Sequence, residues 1–394
     1  MKIISINAGS SSLKFSLYNM VDETVIASGL FERIGIEGSQ CTIKFNGEKI
    51  TQEVEMNNHT EAVKILLHKL VDLEIIKSLD EIDGVGHRLV HGKDKYANSV
   101  IITDEVLNDL DLFKDFAPLH NPANILGINA FKEVLPNVPM VGVFDTAFHQ
   151  TMSEEAYLYP VPYSWYKNYS VRKYGFHGTS HRYISDTVSK MLGKKEFRLI
   201  SCHIGNGGSI TAVKDGKCVD TTMGFTPLSG IMMGTRSGDV DPSIITYVME
   251  KEGKNASEVI DLLNKTSGLL GVSEFSSDMR DILKKCDEGD EKAILARDKY
   301  VRRVVDYIAQ YYVLLGGADL IVFTAGVGEN SVPFRRLVCE KLACLGIKID
   351  LDKNNVMGEM VKISTDDSKI DVYVIPTDEE LMIARDTLNL IRNR

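Results

Sequence analysis

No two cysteines of this chain stand in a C-x-x-C pair. The six that occur, Cys41, Cys202, Cys218, Cys286, Cys339 and Cys344, are too sparse and scattered to staple 394 residues, and they read as mostly buried thiols. Positive charge is also scarce: 45 Lys and Arg stand against 55 Asp and Glu, for a formal net charge of -10. That balance excludes a broad nucleic-acid footprint or attraction to an anionic membrane, and it makes any phosphate chemistry local. The opening residues, MKIISINAGS, hold too short an apolar run for a signal peptide or a membrane span, so a cytoplasmic protein is expected. Low-complexity tracts and Pro/Ser linkers are absent. So are G-x-x-x-x-G-K-[ST], a G-x-G-x-x-G after the first strand, H-R-D, D-F-G and G-x-S-x-G, which removes P-loop enzymes, protein kinases and serine hydrolases and takes the best sign from a dinucleotide fold.

What is present repeats. Residues 4–18, ISINAGSSSLKFSLY, and 200–214, ISCHIGNGGSITAVK, share an apolar strand, a turn of small residues and an alternating second strand, which predicts two β-hairpins about half a chain apart. A weaker echo follows each: DGVGHRLVHG at 83–92 and ADLIVFTAGVGEN at 318–330. Two echoes in one order predict two similar α/β domains, with a seam near Gln150. Between Glu291 and Gly317 the apolar residues Ile294, Val301, Val304, Val305, Ile308, Tyr312 and Leu315 predict a helix with one buried face, stopped by Gly316-Gly317. LIVFTAG then reads as a buried parallel strand ending in a glycine loop, where α/β proteins gather ligands.

Backbone N–H groups reach a phosphate only where side chains do not obstruct them, so NAGSSS, HIGNGG and TAGVGEN are candidate phosphate loops; simple hairpin closure is the alternative for each. Period-two alternation places Ser10, Ser12 and Lys14 on one face, where the ammonium can meet phosphate as a point charge or simply be solvated. His87 and Arg88 end an apolar strand, and Arg236 stands near glycines in GTRSGD, with room for its planar fork. His177 and His181 have the four-residue spacing of helical metal ligands. H-G-T-S-H lacks the glutamate of a zinc protease, however, so hydrogen bonding or donation to phosphate is the better reading.

These blocks carry a resemblance. NAGSSSLK at 7–14, GHRLVHGK at 86–93, APLHNP at 117–122, VFDTAFH at 143–149, RKYGFHGTSH at 172–181, HIGNGGS at 203–209, TTMGFTPLSGIMMGTRSGDVDP at 221–242, FTAGVGEN at 323–330 and PTDEEL at 376–381 resemble the acetate kinase family over essentially the whole chain. One departure is Lys93, where many relatives have glycine. The resemblance implies an α/β fold of two ribonuclease H-like, actin-like ATPase domains, 1–149 (completed by a C-terminal helix 381–394) and 150–380, with the active site in an interdomain cleft. It implies reversible phosphorylation of acetate by ATP to give acetyl phosphate and ADP, with magnesium or a substituting manganese, in a cytoplasmic homodimer.

Residue by residue, the resemblance implies that Asn7 and Glu379 lie near the metal and Lys14 near the nucleotide phosphates. Arg88 would hold the substrate carboxylate, and Val90, Leu119, Phe176 and Pro227 would enclose its methyl group. His177 and Arg236 would stabilise the transferring phosphoryl group, with Asp145 beside them. Nucleotide would meet His203, Ile204, Gly205, Asn206 and Gly207; Asp278, Met279 and Arg280; and Gly326, Val327, Gly328, Glu329 and Asn330. Acetate is already ionised at neutral pH, with a carboxyl pKa of roughly 4 to 5. Asp145 is therefore expected to orient magnesium or Arg236 rather than to take a proton from substrate. Rival expectations are a propionate or butyrate kinase of the same family, because one methylene is worth only about 1–3 kcal/mol, and a non-catalytic nucleotide-dependent binding protein on the same fold.

Overall fold

The computed structural model describes residues 1–118 and 120–393, so the expectation for Leu119 lies outside the described residues. The chain divides into two compact units, Met1–Phe148 with the segment from Asp378 onward, and His149–Thr377.

In the first unit β1 (Lys2–Ala8) and β2 (Ser12–Asn19) form the expected hairpin, with Gly9 N–H donating to Ser12 O at 2.8 Å. β3 (Thr24–Glu32), β4 (Gln40–Phe45) and β5 (Glu48–Glu53) extend it antiparallel, while β6 (Ile82–Leu89) and β8 (Met140–Phe144) add parallel strands and β7 (Val100–Ile101) closes the far edge. The order is β5-β4-β3-β2-β1-β6-β8-β7.

The second unit repeats the plan. β9 (Arg198–Ile204), β10 (Gly208–Lys214) and β11 (Lys217–Thr221) are an antiparallel meander; β12 (Leu320–Thr324) and β14 (Asp371–Val374) continue in parallel, and β13 (Val361–Lys362) ends the sheet antiparallel. Its order, β11-β10-β9-β12-β14-β13, matches β3-β2-β1-β6-β8-β7 strand for strand, so the two echoes in the sequence are the first three hydrogen-bonded strands around each sheet centre.

The glycines of DGVG make room for a helix. Side chains at Gly84 and Gly86 would collide with Ile391, Thr387 and Ile383, so these two residues let the terminal helix Glu379–Arg392 lie directly on β6. Asp378 caps that helix, accepting from Leu381 N–H at 2.9 Å. Helix position thereby fixes where Glu379 and Glu380 stand.

Two expectations need correction. Most of the segment TAGVGEN is a short helix, Ala325–Asn330, not an open loop; it opens on a left-handed Ala325 (φ 64) directly after β12. In the helix Glu291–Leu314 the buried face is Ala293, Ala296, Tyr300, Val301, Val304, Ile308 and Tyr311. Ile294, Val305 and Tyr312 flank it half-buried, because Ala293, Ala296, Tyr300 and Tyr311, which the pattern left out, make the close packing.

Lys93 occupies the left-handed region (φ 51), the backbone that glycine adopts freely, and its ammonium sits 4.6 Å from the Phe116 ring centre and 5.3 Å from that of Phe113. Lys93→Ala keeps the strain and loses the ring contacts, whereas Lys93→Gly loses both. Thermal unfolding should therefore rank the alanine variant below both glycine and wild type, by about 1 kcal/mol.

Candidate active site

In the first unit the turn after β1 is held from two sides. His59 Nε2–H donates to Gly9 O at 2.8 Å, and the buried Asn124 amide donates to Ala8 O at 3.1 Å while its oxygen accepts from Val90 N–H at 3.2 Å. The turn itself is tight, since a side chain at Gly9 would come 2.7 Å from Ser12 Oγ. Ser10 is exposed and Ser12 half-buried. Asn7 pairs with Lys14 across the hairpin, and the Lys14 ammonium is engaged by Glu380.

At the end of β6, Arg88 clasps Asp145 with both arms: Nε donates to Oδ1 at 3.0 Å and Nη2 to Oδ2 at 2.7 Å. Asp145 is buried, and its carboxylate holds the Arg88 guanidinium firmly protonated, well above the usual arginine range. Its oxygens position Arg88, a tie that the expectation for Asp145 did not include. Nearby, burial pushes the half-buried Glu379 carboxyl up to about 7; Arg88 and Lys14 oppose the shift, while Asp145 and Glu380 reinforce it. Val90, just beyond Arg88, is buried.

The second unit carries the other expected residues. His177 caps the helix Gly178–Leu192 in a left-handed conformation (φ 57), a strained backbone for a non-glycine residue and a common mark of functional positions. Its ring stacks on His203 with centres 4.1 Å apart. Between β9 and β10, Gly205 N–H donates to Gly207 O at 3.0 Å, closing the HIGNG turn. A side chain on Gly207 would stand 3.4 Å from Arg236 Nη1 and 3.8 Å from His177 Nε2, so the bare glycine leaves open the space that both groups border. Arg236 is half-buried, and burial lowers its pKa. Among the described residues no carboxylate pairs with it; its contacts are Pro227 O and Met233 Sδ, at 3.5 and 3.9 Å. Phe176 is buried, with its carbonyl accepting from His149 Nε2–H at 2.8 Å, and Pro227 is half-buried.

A cavity of about 910 Å³ opens beside this turn. Its lining includes Gly205 and Asn206, Asp278 to Arg280, and Gly326, Val327 and Asn330, so the three separate sequence stretches expected to meet nucleotide line one space. Asp278 caps the helix Met279–Asp287 through Arg280 N–H and also binds the Arg280 guanidinium. Glu329 turns inward instead. Its Oε1 accepts from Ala325 N–H at 2.7 Å and Thr377 N–H at 3.0 Å, so its carboxylate ties the short helix to the segment after β14.

Leu283, Pro333 and Met357 line the same cavity. They were missed because single apolar residues in helices and loops give no pattern distinguishable from core.

A model of the acetokinase family matches residues 2–385. This chain belongs to the acetokinase family. Acetokinase relatives include the acetate kinase of Bacillus subtilis strain 168, 56% identical over 393 residues, covering 99% of this chain and all of that protein. The solved structure of Porphyromonas gingivalis acetate kinase superimposes with a TM-score of 0.95 at 47% identity, covering 99% of both chains. A propionate kinase from Francisella tularensis reaches 0.94 at 41%, again over 99% of each. The two sheets of equal strand order are thus the two actin-like ATPase domains of an acetokinase, and the fold is that of the family throughout.

Proposed function

We propose that this protein phosphorylates acetate reversibly with ATP, giving acetyl phosphate and ADP by direct in-line transfer to the carboxylate. The observation that carries the reading is the pairing of chemistries on the two units. The first presents an arginine pre-oriented by a buried carboxylate; the second presents an arginine with no carboxylate partner among the described residues, beside a histidine, a glycine turn and a large cavity.

Arg88, locked by Asp145, binds the planar substrate carboxylate, which needs no general base because it is already ionised. Val90, buried just beyond Arg88, bounds the methyl group, a role the family resemblance also gives to Phe176 and Pro227. Arg236 and His177 neutralise charge spreading over the phosphoryl oxygens, so catalysis is chiefly positioning and electrostatics. The cavity residues hold the nucleotide, and Lys14 exchanges Glu380 for phosphate.

Carboxylates on the first unit fit a magnesium ion. Burial makes Glu379 resist ionisation, with Asp145 and Glu380 adding to the shift against Arg88 and Lys14, a cost that a hard divalent cation would relieve. Glu379 and Asn7 would hold it, and bound to ATP it would supply charge neutralisation at the phosphates. Since its carboxyl titrates near 7 in the absence of metal, protons compete with the cation below that pH. Apparent magnesium affinity should rise about tenfold per pH unit well below pH 7 and level off above it. Calorimetry in buffers of different ionisation heat should detect the released proton, and Glu379→Gln should remove the pH dependence.

The test of the reaction is initial rates with ATP, magnesium and acetate, propionate or butyrate, trapping acyl phosphate as hydroxamate. The highest kcat/KM is expected with acetate; a preference for a longer acid would make this a propionate or butyrate kinase, and no acyl phosphate from any acid would favour a nucleotide-dependent binding protein.

The working form is proposed to be a cytoplasmic homodimer. Exposed Trp165, Tyr169, Ile244 and Tyr247 on the second unit supply apolar surface for it, and light scattering at about twice 43.8 kDa would bear it out. Among the described residues no helix is long and apolar enough to cross a membrane.

A further inference from the structure

His177 and His181 share one hydroxyl. Ser209 Oγ lies 2.9 Å from His177 Nδ1 and 2.7 Å from His181 Nε2, and on its far side His181 Nδ1 lies 2.9 Å from Ser201 Oγ. Ser201, Ser209 and His181 are completely buried. The four-residue spacing that resembles a metal pair therefore joins the two rings through a serine on β10.

A serine hydroxyl has one hydrogen. Its oxygen could accept from two N–H groups, but among the described residues no third group stands within reach of the buried Ser209 hydroxyl to take its hydrogen, so between the two imidazole nitrogens it gives that hydrogen to one and accepts from the other. Hydrogens on His177 Nδ1 and on His181 Nε2 therefore exclude each other while both bonds are made, and the tautomer of the buried ring sets that of the other. Burial, aided by His149 and His203, holds His181 well below the usual imidazole range, so it carries a single hydrogen at neutral pH.

The surroundings choose between the two directions. His177 is stacked on His203 and borders the same open space as the Arg236 guanidinium, so a second positive charge on His177 is disfavoured. A neutral His177 with its hydrogen on Nδ1 would turn a bare Nε2 lone pair outward, and phosphoryl oxygens only accept. A hydrogen on Nε2 is the arrangement that attracts them.

We propose that Ser209, backed by His181 and Ser201, fixes His177 as the neutral tautomer with its hydrogen on Nε2, so that this nitrogen donates to an oxygen of the transferring phosphoryl group. The bonds then run one way: the Ser201 hydroxyl gives to His181 Nδ1, His181 Nε2–H gives to Ser209, and the Ser209 hydroxyl gives to His177 Nδ1. Ser209 and His181 are positioning residues that act through His177, and the proposal rests on the reading of His177 as facing the phosphoryl group.

Nitrogen-15 NMR of histidine-labelled protein tests it, because the side-chain shifts report which ring nitrogen bears hydrogen and His177→Gln assigns the signal. At pH 7.5 the wild type should show a hydrogen-bearing Nε2 and a bare Nδ1. In Ser209→Ala both tautomers should appear and kcat should fall by about tenfold or more, with KM for ATP and acid within about twofold of wild type. His181→Gln, whose amide can donate where Nε2–H stood, should keep the His177 tautomer; His181→Leu should behave like Ser209→Ala. Wild-type His177 with hydrogen on Nδ1, or on both nitrogens, overturns the proposal even if the variants fail to fold. So does Ser209→Ala with unchanged His177 shifts. Failure of the underlying reading looks different: His177→Ala would turn over like the parent, overturning donation to phosphate while leaving the tautomer assignment standing.

Discussion

Arg88→Ala is expected to lower kcat/KM for the acid by about a thousandfold while leaving KM for ATP within about threefold. The magnitude follows from what the guanidinium does twice. It is the cation for the substrate carboxylate, and among the described residues it is the sole hydrogen-bond partner of both oxygens of the buried Asp145, at 2.7 to 3.2 Å. Removing one member of a buried ion pair costs about 3–5 kcal/mol, because the other charge is left uncompensated. Loss of activity and loss of stability are therefore mixed in the single variant, and the double variant separates them. Arg88→Ala with Asp145→Ala should recover most of the lost thermal stability and none of the activity. Asp145→Asn should be milder: the amide fills the same space but turns a donor toward a group that only donates, so Arg88 is freed rather than removed. KM for the acid should rise, with kcat falling about ten- to a hundredfold, and the pH profile should keep the parent's shape. A parent with a bell-shaped profile, together with an Asp145→Asn variant that lost turnover without any change in KM, would instead assign Asp145 to proton transfer.

This division between positioning and chemistry also explains what could be read in the sequence. Strands announce themselves through local alternation and turns, so both hairpins and their repetition across the chain were legible, whereas the six-strand order that the two sheets share was not. Residues with distinctive chemistry in glycine-rich settings, such as Arg88, His177 and Arg236, were legible too. Partners far apart in the chain were not. Nothing near Val90 signals that Asn124 holds its backbone, nothing in GHRLVHG says that Gly84 and Gly86 make way for a helix nearly three hundred residues later, and Asp145 carries no local mark of its tie to Arg88. Glycine misled in TAGVGEN, where it enters a helix rather than an open loop, and in DGVG its role of making room for side chains went unread. The meaning of a glycine lies in what approaches it, and that is a tertiary fact.

Arg335 is the sharpest instance of a long-range role invisible in sequence, and its loss is expected to be the most destabilising single change in the second unit. It belongs to the helix Val332–Lys341 and is completely buried, yet among the described residues no carboxylate faces it. Instead its guanidinium donates to five oxygens: Asn354 Oδ1 at 2.9 Å, Gly328 O at 2.9 Å, Glu329 O at 2.8 Å, Asn354 O at 2.8 Å and Val356 O at 2.7 Å. Burial lowers its pKa to about 10, still above neutrality, so the charge is kept and spread over these carbonyl dipoles. The five bonds join the end of the short helix Ala325–Asn330 to residues 354–356, which lead to Met357, so one side chain ties together two walls of the cavity. Arg335→Met preserves much of the volume but strands five buried acceptors, which should cost about 3–5 kcal/mol and lower Tm by roughly 10–15 °C. Arg335→Lys, with three donors on a point charge, should recover only part of that. Because both walls line the cavity expected to hold nucleotide, saturating ATP should stabilise the variant less than the wild type, with KM for ATP raised about tenfold and KM for the acid little changed. A variant that lost stability while keeping the full ATP-dependent shift in Tm would show that Arg335 supports the fold without shaping the cavity.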